Sequence, residues 1–515
     1  MGKRLRTIAA LWVGLCPVLA FAQDEPVPET GIGGVLRSVD EGFGAIVVGP
    51  IAQVLFFDLI FWDNGNDTDL QLPFIVFWLI AGAVFFTLRF GFINIRAFKH
   101  AWIVTTGRYD DPDDPGEVTH FQALSSALSA TVGLGNIAGV AVAVAVGGPG
   151  AIFWMIIAGF LGMSSKFTEC TLGQMYREVG ADGHILGGPM RYLQYGLDQL
   201  GLPRLGRVLA VLFAVMCIGG SFGGGNMFQA NQSYAQVADV LPFFQGGWGA
   251  LAYGVILSFL VGVVIIGGIR RIGQVAGFIV PVMCGIYLVA GLFIIITNFD
   301  QVGPAFGKIV GQAFNPQAGF GGMLGVLVTG FRRAAFSNEA GVGSASIAHS
   351  AAATDEPVRE GIVALLEPFI DTILVCTMTG LVVVITGAYE EGGNEGVLMT
   401  SKAFATVIPW FPKVLSLAVF LFAFSTMISW SYYGERCWTF LFGAQFSILY
   451  KIIFLVAVVF GSVLKLGNVI DFSDLMILGM SFPNILGAVL LSGKVRDALT
   501  SYWNRYRSGE MQPRG

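Results

Sequence analysis

The stretch Ser126–Gly150 reads SALSATVGLGNIAGVAVAVAVGGPG and joins two kinds of sequence that rarely occur together. Its second half, Ala138–Val146, holds only alanine, valine and glycine and is apolar enough for a membrane helix. Its centre, Thr131–Asn136, holds two glycines, a threonine and an asparagine, which are poor helix formers. The stretch therefore predicts a membrane helix that is interrupted near its middle.

The composition of the whole chain agrees with a membrane protein. Of the 515 residues, 55% are hydrophobic and only 12% are charged, whereas soluble chains carry about 25% charged residues. The mean hydropathy is +0.71. The net charge of -5 is weak and no long basic run is present, which argues against nucleic acid as a partner. We therefore expect an all-α polytopic protein whose main surroundings are the lipid bilayer.

The amino terminus has the layout of a secretory signal. Residues 1–22 begin with basic side chains, continue with an apolar stretch and end in Ala20-Phe21-Ala22. The alternative is an uncleaved first helix, although the apolar part is short for a span. Residues 23–72 are predicted to form a periplasmic linker and an interfacial helix. In either case the chain that follows the signal starts outside the membrane.

About eleven apolar runs have the length of roughly 20 residues that a bilayer requires. They fall near 73–94, 121–146, 149–172, 205–235, 249–268, 273–297, 319–345, 360–388, 412–440, 444–464 and 472–493. If the amino terminus is periplasmic, the loops predicted inside are rich in arginine and those predicted outside are not, as the positive-inside rule demands. We therefore predict a bacterial inner-membrane protein with a cytoplasmic carboxyl terminus.

A second interrupted run, GVLVTGFRRAAFSNEAGVGSASIAHS, extends from Gly325 to Ser350, and four runs separate it from the first. An odd number of helices per repeat makes the second repeat enter the membrane from the opposite side. Paired broken helices are typical of inverted-repeat transporters, whose substrate site lies where the breaks meet. The alternative is that each break only provides a glycine-rich face for helix packing.

The first break offers groups that suit a small zwitterion. The second half-helix begins near Gly135, and the amides at such an end attract a carboxylate, which Gly133 and Gly135 let approach closely. The side-chain oxygens of Asn136 and Gln229 are candidate acceptors for the amine. Trp430 either covers the resulting small pocket or only packs in the core.

Two adjacent hydroxyl groups, on Ser425 and Thr426, are candidate cation ligands together with the backbone carbonyls of Ala130 and Thr131. The alternative is that both hydroxyls donate to carbonyls one turn earlier in their own helix. Asp371 is the most deeply placed charged residue and is the charged candidate for a sodium or proton site.

Other charged residues in the predicted spans suggest ion pairs or gate elements. Lys166 and Glu169 are three residues apart and can pair, and Glu367 precedes Asp371 by one helical turn. Glu339 follows the second break, close to two arginines at 332 and 333. No HExxH motif, Walker loop or pair of histidines is present, so we predict a protein that is not an enzyme, has no cofactor and binds no metal besides the transported cation.

Several long stretches resemble the alanine or glycine:cation symporter family, the sodium:alanine symporters. They are LSATVGLGNIAGVAVAVAVGGPGAIFWMIIAGFLGMSSKFTECTLG (128–173), FSNEAGVGSASIAH (336–349), LLEPFIDTILVCTMTGLVVVITG (365–387) and FAFSTMISW (422–430). The resemblance implies a leucine-transporter-type fold of five plus five inverted helices, preceded by one extra transmembrane helix. The implied segments are 73–118 for the extra helix and a cytoplasmic loop, 119–300 and 301–495 for the two repeats, and 496–515 for a cytoplasmic tail.

The resemblance also implies sodium-coupled uptake of small neutral amino acids, alanine and glycine first. The substrate carboxylate is then expected against Thr131, Gly133 and Gly135, while Gln229 and Phe336 hold the amine and the side chain and Trp430 limits the size. The sodium ion is expected between the first break and Ser425–Thr426. Coupling to a proton and a passive channel are the alternatives, and the oligomeric state stays open.

Overall fold

The computed structural model describes residues 49–60, 71–111, 113–180, 185–245, 248–314, 319–390, 396–463, 466–511 and 513. The predicted signal at 1–22 and most of the predicted linker lie outside these residues. Most of the described chain is helical. Its one sheet is a two-stranded antiparallel hairpin of β1 (Glu178–Val179) and β2 (Ile185–Leu186). The predicted all-α polytopic class is confirmed.

The described residues before position 315 form thirteen α-helices and three π-helical segments, which follow in chain order. They are α1 (Gly49–Leu55), α2 (Phe74–Arg89), α3 (Ile93–Arg96), α4 (Phe98–Thr105), α5 (His120–Thr131), a π-helical segment Gly135–Gly139, α6 (Val140–Gly147), α7 (Gly150–Met175), α8 (Pro189–Arg191), π-helical Tyr192–Gly196, α9 (Pro203–Phe222), π-helical Gly223–Met227, α10 (Phe228–Val240), a 3-10 turn Pro242–Phe244, α11 (Gly249–Ile265), α12 (Gly268–Thr297) and α13 (Phe299–Ala313).

The second half continues in the same manner. Its elements are α14 (Gly319–Asn338), α15 (Ala345–His349), α16 (Pro357–Ala364), α17 (Leu366–Pro368), π-helical Phe369–Cys376, α18 (Thr377–Thr386), α19 (Val397–Val407), α20 (Phe411–Phe442), a 3-10 turn Ala444–Phe446, α21 (Ser447–Val463) and α22 (Leu466–Arg507).

Long apolar helices dominate this list. Among the described residues, seven helical stretches are long and apolar enough to cross a membrane, and the bent pair at the first break makes an eighth. Shorter apolar helices are α2, α11 and α19. The protein is therefore a multi-pass membrane protein, and the count of about eleven spans stays a prediction.

The order of helices repeats. The first set is the broken helix α5–α6, then α7, α9–α10, α11 and α12, and the second is the broken helix α14–α15, then α16–α18, α20, α21 and α22. Each set therefore begins with an interrupted helix and continues with four further helical segments, and α2 precedes both. This is the element order of the predicted five-plus-five repeat with one additional helix.

Both interruptions have local causes in the sequence. Helix α5 starts with a capping box, in which the Thr119 hydroxyl accepts the amide of Gln122 and the Gln122 side chain accepts the amide of Thr119, and it ends at Thr131. The next helical segment is bent from it by 51°. At the second break, the backbone of Glu339 and of two following glycines, at 341 and 343, has positive φ, which ends α14.

The two broken helices are held by long neighbours. Helix α7 packs against α14 and α16, and α20 packs against α5, α9, α10 and α12. The middle of α20, from Phe422 to Gly434, is buried throughout. The breaks therefore lie against a continuous packed wall, which fixes the positions of the polar groups around them.

Close packing between α7 and α16 supplies a test of this fold. A β-carbon at Gly361 lies 1.9 Å from the Thr171 hydroxyl oxygen and 2.8 Å from the Phe167 carbonyl. We expect Gly361→Ala to lower the thermal unfolding temperature of the purified protein, because overpacking costs about 1–3 kcal/mol. Gly285→Ala, where a β-carbon meets no atom within 4 Å, is the matched control. An unchanged unfolding temperature for Gly361→Ala would contradict this packing.

Candidate functional site

A small cavity of ≈ 10 Å³ lies between the two breaks and the buried face of α20, with room for about one water molecule. Seven of its lining residues are sequence-predicted site residues, and three are not. The lining residues are Ala130, Thr131, Gly135, Gln229, Phe336, Thr426 and Trp430, together with Gly224, Glu339 and Ile477. The tertiary structure thus brings residues from five separate chain segments to one point.

The first break is stabilised by side chains that bond to its own backbone. The Gly133 amide donates to Oδ1 of Asn136 at 2.9 Å, and the Leu134 amide donates to Oε1 of Gln229 at 3.2 Å. The Gln229 amide group in turn donates to the Gly224 carbonyl at 2.8 Å. The oxygens that were expected to face a substrate amine therefore hold the break open in this structure.

Gly133 lies directly against α20. A β-carbon on this glycine sits 2.4 Å from the Thr426 hydroxyl oxygen and 3.3 Å from Oε1 of Gln229. Within the part of the chain that the structure describes, the buried Thr426 hydroxyl has no hydrogen-bond partner. A buried hydroxyl without a partner is costly, which indicates a ligand or water position next to it.

The neighbouring hydroxyl behaves differently. The Ser425 hydroxyl donates to the Phe422 carbonyl at 2.9 Å, one turn earlier in α20. This is the bond within its own helix that was the alternative to a cation-ligand role. Its own carbonyl accepts a bond from the Ser129 hydroxyl at 2.7 Å. Of the two candidate hydroxyls, only that of Thr426 faces the cavity.

Glu339 lies in the second break and is the one ionisable side chain among the cavity residues. It accepts a hydrogen bond from Nε1 of Trp430 at 2.9 Å and another from the Ser344 hydroxyl. The arginines expected beside it bind elsewhere, because Arg332 and Arg333 both pair with Asp474. Trp430 therefore covers the cavity and also positions a carboxyl group.

Asp371 lies behind the first break and not in the cavity lining. Its carboxylate accepts bonds from Nδ2 of Asn136 at 2.6 Å and from the hydroxyls of Ser337 and Thr372, each at 2.8 Å. Asn136 therefore joins the first break to this carboxylate. The side chains of Asp371, Asn136, Ser337 and Thr372 are all buried, and together they connect both broken helices to the π-helical segment Phe369–Cys376.

Three cavity residues were not among the site residues predicted from the sequence. Glu339 was predicted as an ion-pair or gate element, although a carboxylate in the interrupted part of a membrane helix, where a charge is costly, is also a signal for a binding site. Gly224 belongs to the glycine-rich run 223–225, which forms a π-helical segment. Ile477 is an apolar residue within α22, and nothing in its local sequence distinguishes it from other membrane residues.

Comparison with known families places the chain clearly. Residues 61–514 match the model of the sodium:alanine symporter family. The chain belongs to this family. It is therefore a cation-coupled amino-acid symporter and not an enzyme, as the long motifs around both breaks predicted.

Relatives in the sodium:alanine symporter family match over nearly their whole length. The sodium/alanine symporter AgcS of Methanococcus maripaludis is 41% identical over 442 residues, which cover 85% of this chain and 96% of that protein. The probable sodium/glutamine symporter GlnT of Bacillus subtilis is 34% identical over 438 residues, which cover 84% and 88% of the two chains. A solved structure of MhsT in complex with L-phenylalanine superposes with a TM-score of 0.46 and 15% identity, over 73% of this chain and 98% of that one.

Proposed function

We propose that this symporter couples inward sodium flux to the uptake of small neutral amino acids, alanine and glycine, by alternating access. It is proposed to do so in the bacterial inner membrane, with a periplasmic amino terminus, a cytoplasmic carboxyl terminus and the segment boundaries predicted from the sequence. The observation that carries the proposal is the small closed cavity between the two breaks. The name of the relative AgcS supports alanine and sodium.

The cavity residues suggest how the substrate binds. Its carboxylate is proposed to face Thr131 and the backbone at Gly135, with Gly133 close by, and its ammonium group is proposed to face Glu339 and Gln229. Phe336 and Trp430, both aromatic and nearly fully buried, enclose the side chain. Bulky aromatic walls around so small a space favour a substrate side chain of no more than a methyl group.

Two positions are proposed for the cation. The first lies at the unpartnered Thr426 hydroxyl, next to the carbonyls of Ala130 and Thr131 at the end of α5, with Ser425 supplying backbone or hydroxyl oxygen after rearrangement. The second is Asp371, whose buried carboxylate is a strong oxygen ligand for a hard cation. Sodium as the coupling ion is supported by the family description.

Labelled-alanine uptake into vesicles that contain the purified protein tests the proposal. We expect uptake against a concentration gradient in sodium medium, no accumulation when potassium replaces sodium, and competition by excess unlabelled glycine. Accumulation that persists in potassium and follows a pH gradient would instead show proton coupling. Equilibration without accumulation would show a passive facilitator.

The Thr426→Ala variant locates the cation. We expect at least about a tenfold rise in the sodium concentration needed for half-maximal uptake, because a hydrogen bond or ligand bond to a charged group contributes about 1.5–3 kcal/mol. Ser431→Ala is the matched control, since that buried hydroxyl donates to the Ile428 carbonyl of the same helix and has no proposed role in the site. Equal sodium dependence in wild type and Thr426→Ala would exclude this hydroxyl as a ligand.

A further inference from the structure

A row of buried ionisable side chains extends from the protein surface toward the substrate cavity. It starts at Asp110, whose side chain is 36% exposed, and its next member is His120, with Nε2 of the histidine 3.9 Å from the aspartate. Nδ1 of His120 contacts one oxygen of Glu360, and Nδ1 of His349 lies 2.5 Å from the other oxygen. One carboxyl group thus bridges two histidines from the two broken helices.

The row of buried side chains continues toward the second break. Nε2 of His349 lies 3.7 Å from Glu367, and the same carboxyl oxygen lies 3.3 Å from Nζ of Lys166. Lys166 also lies 3.9 Å from Glu169. One turn before Lys166, Gly162 of α7 packs against Ala340, the residue that follows Glu339, so this part of α7 lies beside the second break. Between His120 and Glu339, every one of these side chains is at most 2% exposed.

Many atoms of these buried ionisable side chains lack hydrogen-bond partners within the described residues. They are Nε2 of His120, Nε2 of His349, Nζ of Lys166, both carboxyl oxygens of Glu367 and one oxygen of Glu169. Buried polar atoms are normally hydrogen-bonded. A small side-chain movement, or one bridging water molecule, is enough to connect these donors and acceptors. Such an arrangement suits the passage of a proton.

The charges of the set also require bound protons. Four buried carboxyl groups, on Glu169, Glu339, Glu360 and Glu367, lie near two permanent cations, the buried Lys166 and the partly buried Arg177, which alone do not balance them. Burying several uncompensated negative charges is prohibitive, so the set holds exchangeable protons on its histidine or carboxyl groups. Other titratable groups also face it, namely Arg177 beside Glu360, Cys170, Tyr192 and Tyr433.

We propose that these residues form a proton relay and that the transporter returns a proton outward for each amino acid it takes up. The inference rests on the proposed symport. When the substrate ammonium leaves the cavity, Glu339 loses the charge that compensates its carboxylate. It then takes a proton from the cytoplasmic end of the relay and releases that proton outside when the next ammonium group binds.

Each transfer in the relay breaks one N–H or O–H bond and forms another. A proton from water at Asp110 binds Nε2 of His120, and the Nδ1 proton of that ring passes to Glu360. Glu360 protonates Nδ1 of His349, whose Nε2 proton passes to Glu367. Lys166 then donates one proton to Glu339 and takes one from Glu367, so Glu360, Glu367 and Lys166 regain their starting protonation. His120 and His349 each end as the other tautomer, and a transfer of the ring proton between the two nitrogens through a water molecule resets them before the next cycle.

The test uses the full-length protein in vesicles that contain a pH-sensitive dye, with the membrane voltage clamped. An inward sodium gradient and labelled alanine are applied, and luminal pH and uptake are recorded together. We expect the lumen to become more alkaline in proportion to alanine uptake. Uptake without a pH change overturns the relay but leaves the proposed symport intact, whereas no uptake in sodium contradicts the symport itself.

Variants distinguish a relay from a structural role. His349→Gln and His120→Gln keep hydrogen-bonding side chains but cannot pass a proton, so net uptake and proton movement should both fall about 100-fold or more, the usual effect of removing a positioned proton-transfer group. Exchange of external for internal alanine, which does not need the empty carrier to return, should stay near wild type. His100→Gln is the matched control, because His100 is buried but bonds to Tyr502 outside the relay. Equal losses of exchange and net uptake, or unchanged proton movement, would overturn the proposal.

Discussion

The Gly133→Ala variant is expected to lose sodium-driven alanine uptake almost completely. Its added methyl carbon falls 2.4 Å from the Thr426 hydroxyl oxygen and 3.3 Å from Oε1 of Gln229, so the hydroxyl, the glutamine or the break itself has to move. Each of these groups lines or supports the cavity. Overpacking of this kind costs about 1–3 kcal/mol and displaces the groups proposed to hold substrate and cation.

Initial rates of labelled-alanine uptake and thermal unfolding of the purified variant measure this effect. Gly139→Ala is the matched control, since Gly139 lies in the π-helical segment that follows Gly133 and a β-carbon there meets no atom within 4 Å. The double variant Gly133→Ala, Thr426→Ala removes the closest contact and should regain stability without regaining sodium dependence, because the two residues touch and their effects are not additive. Wild-type uptake by Gly133→Ala would contradict the close approach of the break to α20.

The Asp371→Asn variant is expected to need at least about ten times more sodium for half-maximal uptake than the wild type. Three donors, from Asn136, Ser337 and Thr372, converge on this carboxylate, and an asparagine amide would point a further donor at them. Hydrogen bonds to a charged acceptor contribute about 1.5–3 kcal/mol each, and the substitution also removes the negative charge proposed to attract the cation.

Sodium titration of uptake, together with thermal unfolding, separates the two contributions. Cys376→Ala is the matched control, because the Cys376 sulfur lies 3.4 Å from Nδ2 of Asn136 and 3.2 Å from the Ser337 hydroxyl but carries no proposed cation role. A loss of stability that Cys376→Ala shares, with sodium dependence unchanged in both variants, would assign Asp371 a purely structural role.

Much of the site was predictable because many of its residues are unusual for the interior of a membrane helix. Glycines and polar side chains at Thr131–Asn136 and around Glu339 are poor material for membrane helices, so both breaks were visible without any coordinates. Site residues that are typical of membrane helices gave no such signal. Ile477 lines the cavity only because α22 packs against α9 and the π-helical segment Gly223–Met227.

The sequence did not distinguish individual polar groups whose local sequences are similar. Ser425 and Thr426 are adjacent hydroxyls on one helix, and the sequence treats them alike, yet one bonds to Phe422 and the other faces the cavity. Glu339 stood next to two arginines in the chain, but both arginines turn to Asp474 while the glutamate turns to Trp430. The partners of Glu339, Arg333 and Arg332 lie 91, 141 and 142 residues away along the chain.

The sequence by itself determined the membrane class, the two interruptions, the family and the residue types available for a small zwitterion and a cation. These properties follow from composition and from local backbone preferences, which need no knowledge of distant contacts. Only the tertiary structure decided which side chains share the cavity, that Asn136 and Gln229 support the first break, and that His120, Glu360, His349, Glu367 and Lys166 form one buried line. Those contacts join separate helices, and their free energy depends on packing and burial that appear only once the chain has folded.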